Sequence, residues 1–516
     1  MAKDPTNPKE PASTTDVVTS PGDTKVATSD VLDIKRFLSS MRLNADGPSP
    51  VPMVSNDLQS IDENISDEDR FVSGMAAVLM NIDPAAGKFD KGAVQKLIAH
   101  IDELINAQLN EVIHNEKFKD MESHWRSLND LILNTNFRAD VMIDIIDAGK
   151  EEFYEDFDSN AVDITGSALF KKVYIAEYDQ YGGRPYASII GLYEFEHTPR
   201  DEFWLKIMGK IAAASHAPFI GTVSPKFFGC QSMEELAEMK NLEGLMNHPR
   251  YGSWNTLRDS EEAAYIGLTL PRYILRLPYD PENNPSGNIN FKEEVRGDNS
   301  ADYLWGSATI LFAQNMIRSF IGSGWCQYLR GPKGGGLITG LPVNMFNIRG
   351  EEEMKIPVEM TIPDFRELDF ANAGFMPLIY RKGTADACFF SCQSLKKPKK
   401  FKDPKDSENS QLVTNLSYSL SITRIAHYIK CIMRDNIGSS ADADYIATTL
   451  NTWMFKYVTT VVNPDDITLR YYPFKAASVV VVERPGMIGW YDCAISVLPH
   501  IQFEGMDVEL RLDARL

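Results

Sequence analysis

Eight histidines, at positions 100, 114, 124, 197, 216, 248, 427 and 500, are the side chains best suited to proton transfer or metal binding near neutral pH. They are scattered. No H-E-x-x-H occurs, and no helical i, i+4 pair has a third ligand in sight. His427 falls in the helical run 425–429 and is read as a packed or hydrogen-bonded histidine rather than a base. The glycine-rich GPKGGGLITG (331–340) lacks the G-x4-G-K-[ST] spacing of a phosphate cradle, and glycine follows Lys333 where magnesium would need a hydroxyl. A tight turn needing φ > 0 explains three glycines better. There is no G-x-S-x-G elbow. Cys388 and Cys392 sit in CFFSC without a second ligand pair nearby, and all six cysteines are read as reduced thiols. The acidic runs 151–158 (EEFYEDFD) and 351–353 read as solvated or partner-facing surface rather than as paired catalytic carboxylates. Nothing assembles a nucleophile, a base and an orienting group, so no catalytic, cofactor or metal residue is nominated. Two readings stay open: an enzyme with an unrecognised site, or a protein that works by assembling.

Composition narrows the second reading. The chain has 516 residues, 43% hydrophobic and 24% charged, an ordinary globular balance with room for three or four domains of ~150 residues. Its net charge of −20 disfavours nucleic acid and anionic membrane as partners. No run of about 18 apolar residues offers a membrane span. The N-terminus lacks the apolar core of a secretory signal, which points to a cytosolic chain.

The elements follow from periodicity. Residues 1–70 are rich in Pro, Ser and Thr around a helical stretch at 31–43, and are read as a flexible arm or linker. Residues 91–133 carry apolar steps of three and four, and predict two amphipathic helices in an αα-hairpin. KKVYIAEY (171–178) and YASIIGLYEF (186–195) predict two strands about the YGG turn. A helix over 201–214 and a buried strand at APFIGTVSP follow, favouring an α/β core. Residues 278–300 read as a long polar loop, 305–319 as a helix, and KKPKKFKDPK (396–405), with six lysines, as an exposed loop. Helices are predicted over 412–433 and 445–458. The strands ASVVVVE and IGWYDCAISVLPH then flank the turn Arg484-Pro485-Gly486. The final VELRLDARL alternates apolar and charged residues with a period of two, the pattern of a half-buried strand.

Several of these segments, taken in order, resemble one family. KFKDMESHWRSLNDLI is similar to the E-x-x-W-R-G-L helix of the large subunit of the type VI secretion contractile sheath, with Ser127 where glycine is usual. YEFEHTPRD, HAPFIGTVSPKFFG, GWCQYLRGPKGGGLITGLPV, ELDFANAGFMPLIYRKGTADACFF, QSLKKPKKF, ITRIAHYIKCIMRDNIGS and IQFEGMDVELRL continue the likeness over roughly 90–516. The family is TssC/VipB, and size and character look closest to its IglB-like branch.

The resemblance implies a mixed α/β (α+β) fold with a phage-tail-sheath-like core, a helical N-terminal region and C-terminal strands shared between protomers. It implies an arm over 1–70, a helical region over 71–165 that contacts a small sheath subunit, a sheath domain over 166–400 and a C-terminal core domain over 401–516. It implies a structural role. A heterodimer with a small subunit (TssB/VipA/IglA-like) would polymerise as hexameric rings around an Hcp-like inner tube. Assembly would occur in the bacterial cytoplasm on a membrane-anchored baseplate, and an AAA+ unfoldase would recycle the contracted sheath. Candidate inter-protomer strand residues are Val479, Val480, Val481, Val482, Trp490, Tyr491, Val508, Leu510 and Leu512. Trp125, Leu128 and Leu131 are candidates for the small-subunit interface, with an internal core helix as the alternative. Asp442, Asp444 and Lys456 flank a helix that would face the inner tube, or else be core. A phage-type sheath acting without a small subunit is the third reading.

Overall fold

The computed structural model describes residues 91–500, apart from positions 288, 349, 440, 441 and 488. The arm at 1–70 and the strand candidates Val508, Leu510 and Leu512 lie outside the described residues. Two compact units divide after residue 107. The helix α1 (Lys91–Ile113) crosses that division, and α2 (Glu116–Leu133) follows after His114 and Asn115. The Asn115 side chain accepts from the Lys117 amide and caps α2. The next helix is α3 (Lys150–Ser159), which buries Phe157.

The core of the second unit is a six-stranded sheet. Its first three strands are β1 (Ile189–Phe195), β2 (Phe219–Val223) and β3 (Ile266–Leu270), mutually parallel. Between β1 and β2 runs α4 (Pro199–Ser215), started by the Thr198 cap and Pro199 and ended at His216, whose φ is 52°. Every residue of β2 and β3 is buried. That is why FIGTV and IGLTL read as continuous apolar runs: helices cover both faces of a parallel sheet. One covering helix is α5 (Ala308–Ser323), capped by Ser307. The sheet continues through β4 (Leu337–Ile338), past a separate hairpin of β5 (Met345–Ile348) and β6 (Glu351–Met354). After α6 (Asp364–Asn372) it is completed by β7 (Met376–Tyr380) and β8 (Ala387–Phe389), in the order β1-β2-β3-β7-β8-β4. Glycine is required at Gly191, where an added Cβ would stand 2.6 Å from the Phe219 ring. Trp204 of α4 packs against Phe157, Phe195 and Phe219 in the largest buried cluster.

The C-terminal part is helices over a hairpin. Its elements are α7 (Pro404–Thr414), α8 (Leu416–Asp435), α9 (Ala443–Phe455), β9 (Phe474–Glu483) and β10 (Tyr491–Pro499). Ile446, Leu450 and Met454 of α9 bury against Phe474 and Val479 of β9, with Trp325, Ile425 and Ile429 alongside.

Three expectations are corrected. KKVYIAEY is not a strand: Lys171–Tyr178 is a π-helix. Phe170, just before it, stacks on Tyr174, the Tyr178 ring lies tilted against Tyr174, and Arg434 of α8 donates to the Tyr178 and Gln180 carbonyls at its C-terminal end. The helix expected from residue 305 starts at Ala308, because Trp305–Gly306 pairs with Tyr273–Ile274. The helix over 412–433 is two helices. Asn415 ends α7 and caps α8, accepting from the Ser417 amide at 3.1 Å. The 278–300 segment is a largely irregular polar loop as expected, with Phe291 and Glu293 buried within it.

Candidate assembly surfaces

The likeness helix α2 separates its motif residues by face. Glu122 and Arg126 look inward: Glu122 Oε1 accepts from Arg126 Nε at 2.6 Å and from Arg276 Nε at 2.7 Å. Arg276 also donates to Glu293 Oε2 at 2.6 Å, and Arg126 donates to the Tyr279 hydroxyl at 2.6 Å. Burial alone would raise the Glu122 carboxyl, but the bonds to Arg276 and Arg126 outweigh it and hold the group below the usual range. The same charges hold Arg276 above its ordinary value despite its burial. A charged knot therefore locks α2 to the body, and fixes which way its remaining face looks. Leu131 packs in a core cluster with Ile310 and Ala313 of α5. Leu128 is half-buried, and Trp125 is displayed with 68% of its surface exposed. Within the described chain Leu131 is thus core and Trp125 is displayed.

Trp125, Leu128 and Leu131 line a groove of about 2720 Å³. Its other walls are the extended segment 137–149 and β1, an edge strand of the six-stranded sheet. At that edge His124 Nε2 bonds the Leu192 carbonyl at 2.9 Å, and Lys150 Nζ donates to the Glu194 carbonyl at 2.9 Å. Met142 and Ile145 are exposed along the groove.

The second surface is the β9–β10 hairpin. It pairs Val479 with Ile495, Val480 with Ala494, Val481 with Cys493 and Val482 with Asp492, and ends in the expected turn, with Gly486 at φ 82°. Val479 is buried under α9, and Val481 and Tyr491 are partly buried with it. Val480 and Val482 point the other way, 55% and 59% exposed, and Trp490 at the turn is 62% exposed. Period-two alternation thus splits the candidate strand residues between an inner and an outer face. The described part of this sheet has two strands only. The Asn451 side chain, reaching from α9, bonds both the amide and the carbonyl of Val479. Sequence reading missed Asn451, which nothing in a helical pattern distinguishes.

The third surface is α9 itself. Asp442 caps it, accepting from the Tyr445 amide at 2.8 Å. Asp442, Asp444, Tyr445, Phe455 and Lys456 are exposed, while Ile446, Leu450 and Met454 are core. The helix is two-faced, with a core stripe on one side and, on the other, exposed polar and aromatic residues with Asp442 and Asp444 at its N-terminal end and Lys456 at its C-terminal end.

His427 is buried, with Nε2 3.0 Å from the Ser215 carbonyl, and burial with His216 nearby lowers its pKa to about 4. Burial pushes the Cys388 and Cys392 thiols up to about 12. No group of three His, Cys, Asp or Glu side chains poised for a metal is found among the described residues. No helix among them is long and apolar enough to cross a membrane.

Sequence comparison supplies the class. A tail-sheath family model, VipB (EvpB/VC_A0108, tail sheath N-terminal domain), matches residues 95–396. Its companion VipB_2 (EvpB/VC_A0108, tail sheath gpW/gp25-like domain) matches 405–516. This defines a tail-sheath protein. The type VI secretion system sheath protein TssC1 of Pseudomonas aeruginosa is 38% identical over 427 residues, 82% of this chain and 86% of that protein. The chain belongs to the VipB family of type VI secretion sheath proteins and is a contractile-sheath large subunit, of a family that is structural in role. Among solved structures, the anti-feeding prophage baseplate overlaps with a TM-score of 0.35 at 9% identity, covering 73% of this chain and 84% of its own. The contracted anti-feeding prophage helical sheath overlaps with a TM-score of 0.30 at 11% identity, over 61% and 68%. The sequence matches, not these loose overlaps, decide the family.

Proposed function

We propose that this chain pairs with a small TssB/VipA/IglA-like subunit, that the pairs stack as hexameric rings around an Hcp-like tube, and that contraction of the lattice drives the tube and its effectors out of the cell. Assembly takes place in the bacterial cytoplasm on a membrane-anchored baseplate, and an AAA+ unfoldase recycles the spent sheath. The observation that carries this reading is the β9–β10 hairpin. Packed on α9 by one face, the hairpin leaves Val480, Val482 and Leu498 exposed and has two strands among the described residues, so its edges offer backbone groups to further strands. Val508, Leu510 and Leu512 would extend to a neighbouring hairpin, each added backbone hydrogen bond contributing ~0.5–1.5 kcal/mol net. Such head-to-tail contacts propagate as an open helix. Contraction is then a rigid-body change between two packings while the strands keep subunits tethered.

The groove beside α2 is the proposed seat of the small subunit, with Trp125 as anchor, since a displayed tryptophan over an apolar hollow is typical of a binding hot spot. The outward face of α9, with Asp442, Asp444 and Lys456, is the proposed contact with the inner tube. Domain limits at 70, 165 and 400 remain the working division of the chain.

The test is co-expression of this chain with and without its small partner, viewed by electron microscopy. Tubes in the paired sample are expected. Monomers only, across a range of salt, would sink the reading, and tubes formed without the partner would favour a phage-type sheath acting alone. A deletion of residues 508–516 should leave a folded chain that assembles poorly.

A further inference from the structure

We propose that the lysine loop at 397–405 docks onto the acidic β5–β6 hairpin of a second copy of this chain, so that assembly carries an electrostatic contact between copies in addition to strand sharing. The inference rests on the sheath reading above.

The loop is held in shape rather than loose. Its root is buried: Lys396 pairs with Glu261, the Lys397 amide donates to the Arg258 carbonyl at 3.0 Å, and the Arg258 guanidinium is itself buried on the Leu395 and Asn372 carbonyls. This corrects the expectation that all of 396–405 is exposed. Beyond the root, the Lys399 amide donates to Ser410 Oγ and the Phe401 amide to Ser407 Oγ, both at 2.9 Å. Asp403 then caps α7 by accepting from the Lys405 amide at 2.9 Å.

What this frame presents is unusual for the chain. Lys397, Lys399, Lys400, Lys402 and Lys405 are all exposed around Phe401, itself 51% exposed, with Asp403 the one acid in the run. Lys399 reaches Glu261 at 3.9 Å, and none of the other four makes an ion pair with a described residue. The loop also spans the joint between the segments matched by the two family models, 95–396 and 405–516.

The charge complement lies on the same chain. Glu351, Glu352 and Glu353 are consecutive, exposed, and make no ion pair with a described residue. They sit on β6 of a hairpin that pairs with no other strand among the described residues. Alternation puts Glu351 and Glu353 on one face, about 7 Å apart. Copies that each carry −20 repel one another. Contacts between them therefore favour surfaces where the sign is reversed, and the lysine loop is the densest such surface. Different patches on the two copies make the contact heterologous, which suits a polymer that does not close. Phe401 gives the contact an apolar centre among the charges, the arrangement in which ion pairs set register.

A charge swap in the full chain, co-expressed with its small partner, tests this. Formation of sedimentable tubes by the wild-type pair comes first; its failure sinks the sheath reading and this inference with it. Given wild-type tubes, Lys400→Glu with Lys402→Glu is expected to cut sedimentable sheath at low salt about tenfold, with the heterodimer still formed and circular dichroism unchanged. Glu351→Lys with Glu353→Lys should do the same alone, and should restore assembly to within about threefold of wild type when combined with the lysine reversals. Normal assembly of the lysine variant, or failure of the combined variant to recover, overturns the contact while leaving the sheath reading intact. If reversal unfolds the chain, Lys400→Gln with Lys402→Gln should flatten the salt dependence of assembly, and an unchanged slope overturns the proposal equally. Loss of binding to phosphatidylglycerol vesicles with assembly untouched would assign the loop to a membrane surface instead, and also overturns it.

Discussion

The side-chain amide of Asn451 occupies both backbone groups of Val479, its nitrogen donating to the carbonyl and its oxygen accepting from the amide, each at 3.0 Å. A helix residue thereby does for one position of β9 what another strand would do for many, and fastens α9 to the hairpin. Removing it leaves two backbone groups of a buried residue unpaired, at about 1–3 kcal/mol each before relaxation or water entry. Asn451→Ala is therefore expected to destabilise the C-terminal part by about 1–3 kcal/mol. Amide exchange at Val479 should rise more than at core strands such as β3. Unchanged exchange there would mean that the hairpin is held by its apolar face alone.

Arg276 is the pivot of the charged knot under α2, with Glu122 and Glu293 on either side. Arg276→Met keeps much of the volume and takes the guanidinium partner from the almost completely buried Glu293, while Glu122 keeps only Arg126. A loss of about 3–5 kcal/mol is expected in denaturant unfolding, and it should persist at high salt because buried pairs are weakly screened. Replacing Glu122 and Glu293 by Gln in the same variant should recover part of the loss. No recovery would show that shape rather than charge sets the cost.

His427 gives a pH dependence whose sign can be worked out. Its folded pKa is lowered to about 4 by burial, with the Ser215 carbonyl accepting from the ring Nε2 and with His216 and Arg424 adding positive field. Lys430 also lies close, over the Tyr178 ring that packs on His427. In the unfolded chain the group titrates near 6.5, so the unfolded state binds more protons between about pH 4 and 6.5. The stability His427 contributes is therefore complete above about 6.5 and falls as the solution is acidified towards 4, by up to roughly 3 kcal/mol. His427→Gln should flatten that part of the curve, leaving the slope from His216, His197 and His500, whose pKa values burial also lowers. An equally steep curve in the variant would place the acid sensitivity elsewhere.

Much of this architecture was legible in the sequence because it is local or periodic. APFIGTVSP marks a buried strand whose place after a strand and a helix points to an α/β core, and ASVVVVE and IGWYDCAISVLPH mark two strands about the Arg484-Pro485-Gly486 turn. What escaped depends on partners distant along the chain. KKVYIAEY has a strand's composition, yet Arg434 and Lys430, more than 250 residues on, bind the end of its π-helix. Asn451 gains its role only when β9 arrives beside it, and Glu293 sits in a polar loop that no pattern marks as buried. Lys396 was grouped with its lysine neighbours by composition, although Glu261 and the fold take it inside. The E-x-x-W-R motif was read as a single signature, whereas its residues divide between anchoring and display.

That division makes Trp125 a clean probe. Glu122 and Arg126 hold α2, while Trp125 contributes little to the monomer because most of its ring is already in water. Trp125→Ala should change monomer stability by about 0.5 kcal/mol or less, as surface substitutions do. It should nevertheless weaken co-purification of the small subunit by about thirtyfold or more, the effect of losing a central anchor of 2 kcal/mol or above. Retained pairing would move the small-subunit seat away from the groove.

The outer face of the hairpin distinguishes strand sharing from mere packing. Val480 and Val482 are solvated in the isolated chain, so Val480→Thr with Val482→Thr leaves the backbone and β-propensity nearly unchanged and costs the monomer about 0.5 kcal/mol or less. If neighbours attach only by extending the sheet edge, backbone hydrogen bonds carry the contact and these threonines should be tolerated. If a neighbouring element lies across the outer face, each buried valine methyl is worth about 0.8 kcal/mol, and multiplied over a helical lattice the loss should abolish tubes at concentrations where wild type assembles. The expected outcome is tolerance of the threonine pair with sensitivity to Val480→Pro, which removes an N–H from the ladder that binds β9 to β10. Sedimentation of the co-expressed pair reads both variants. Loss of tubes with threonine would show that the strands are covered as well as extended.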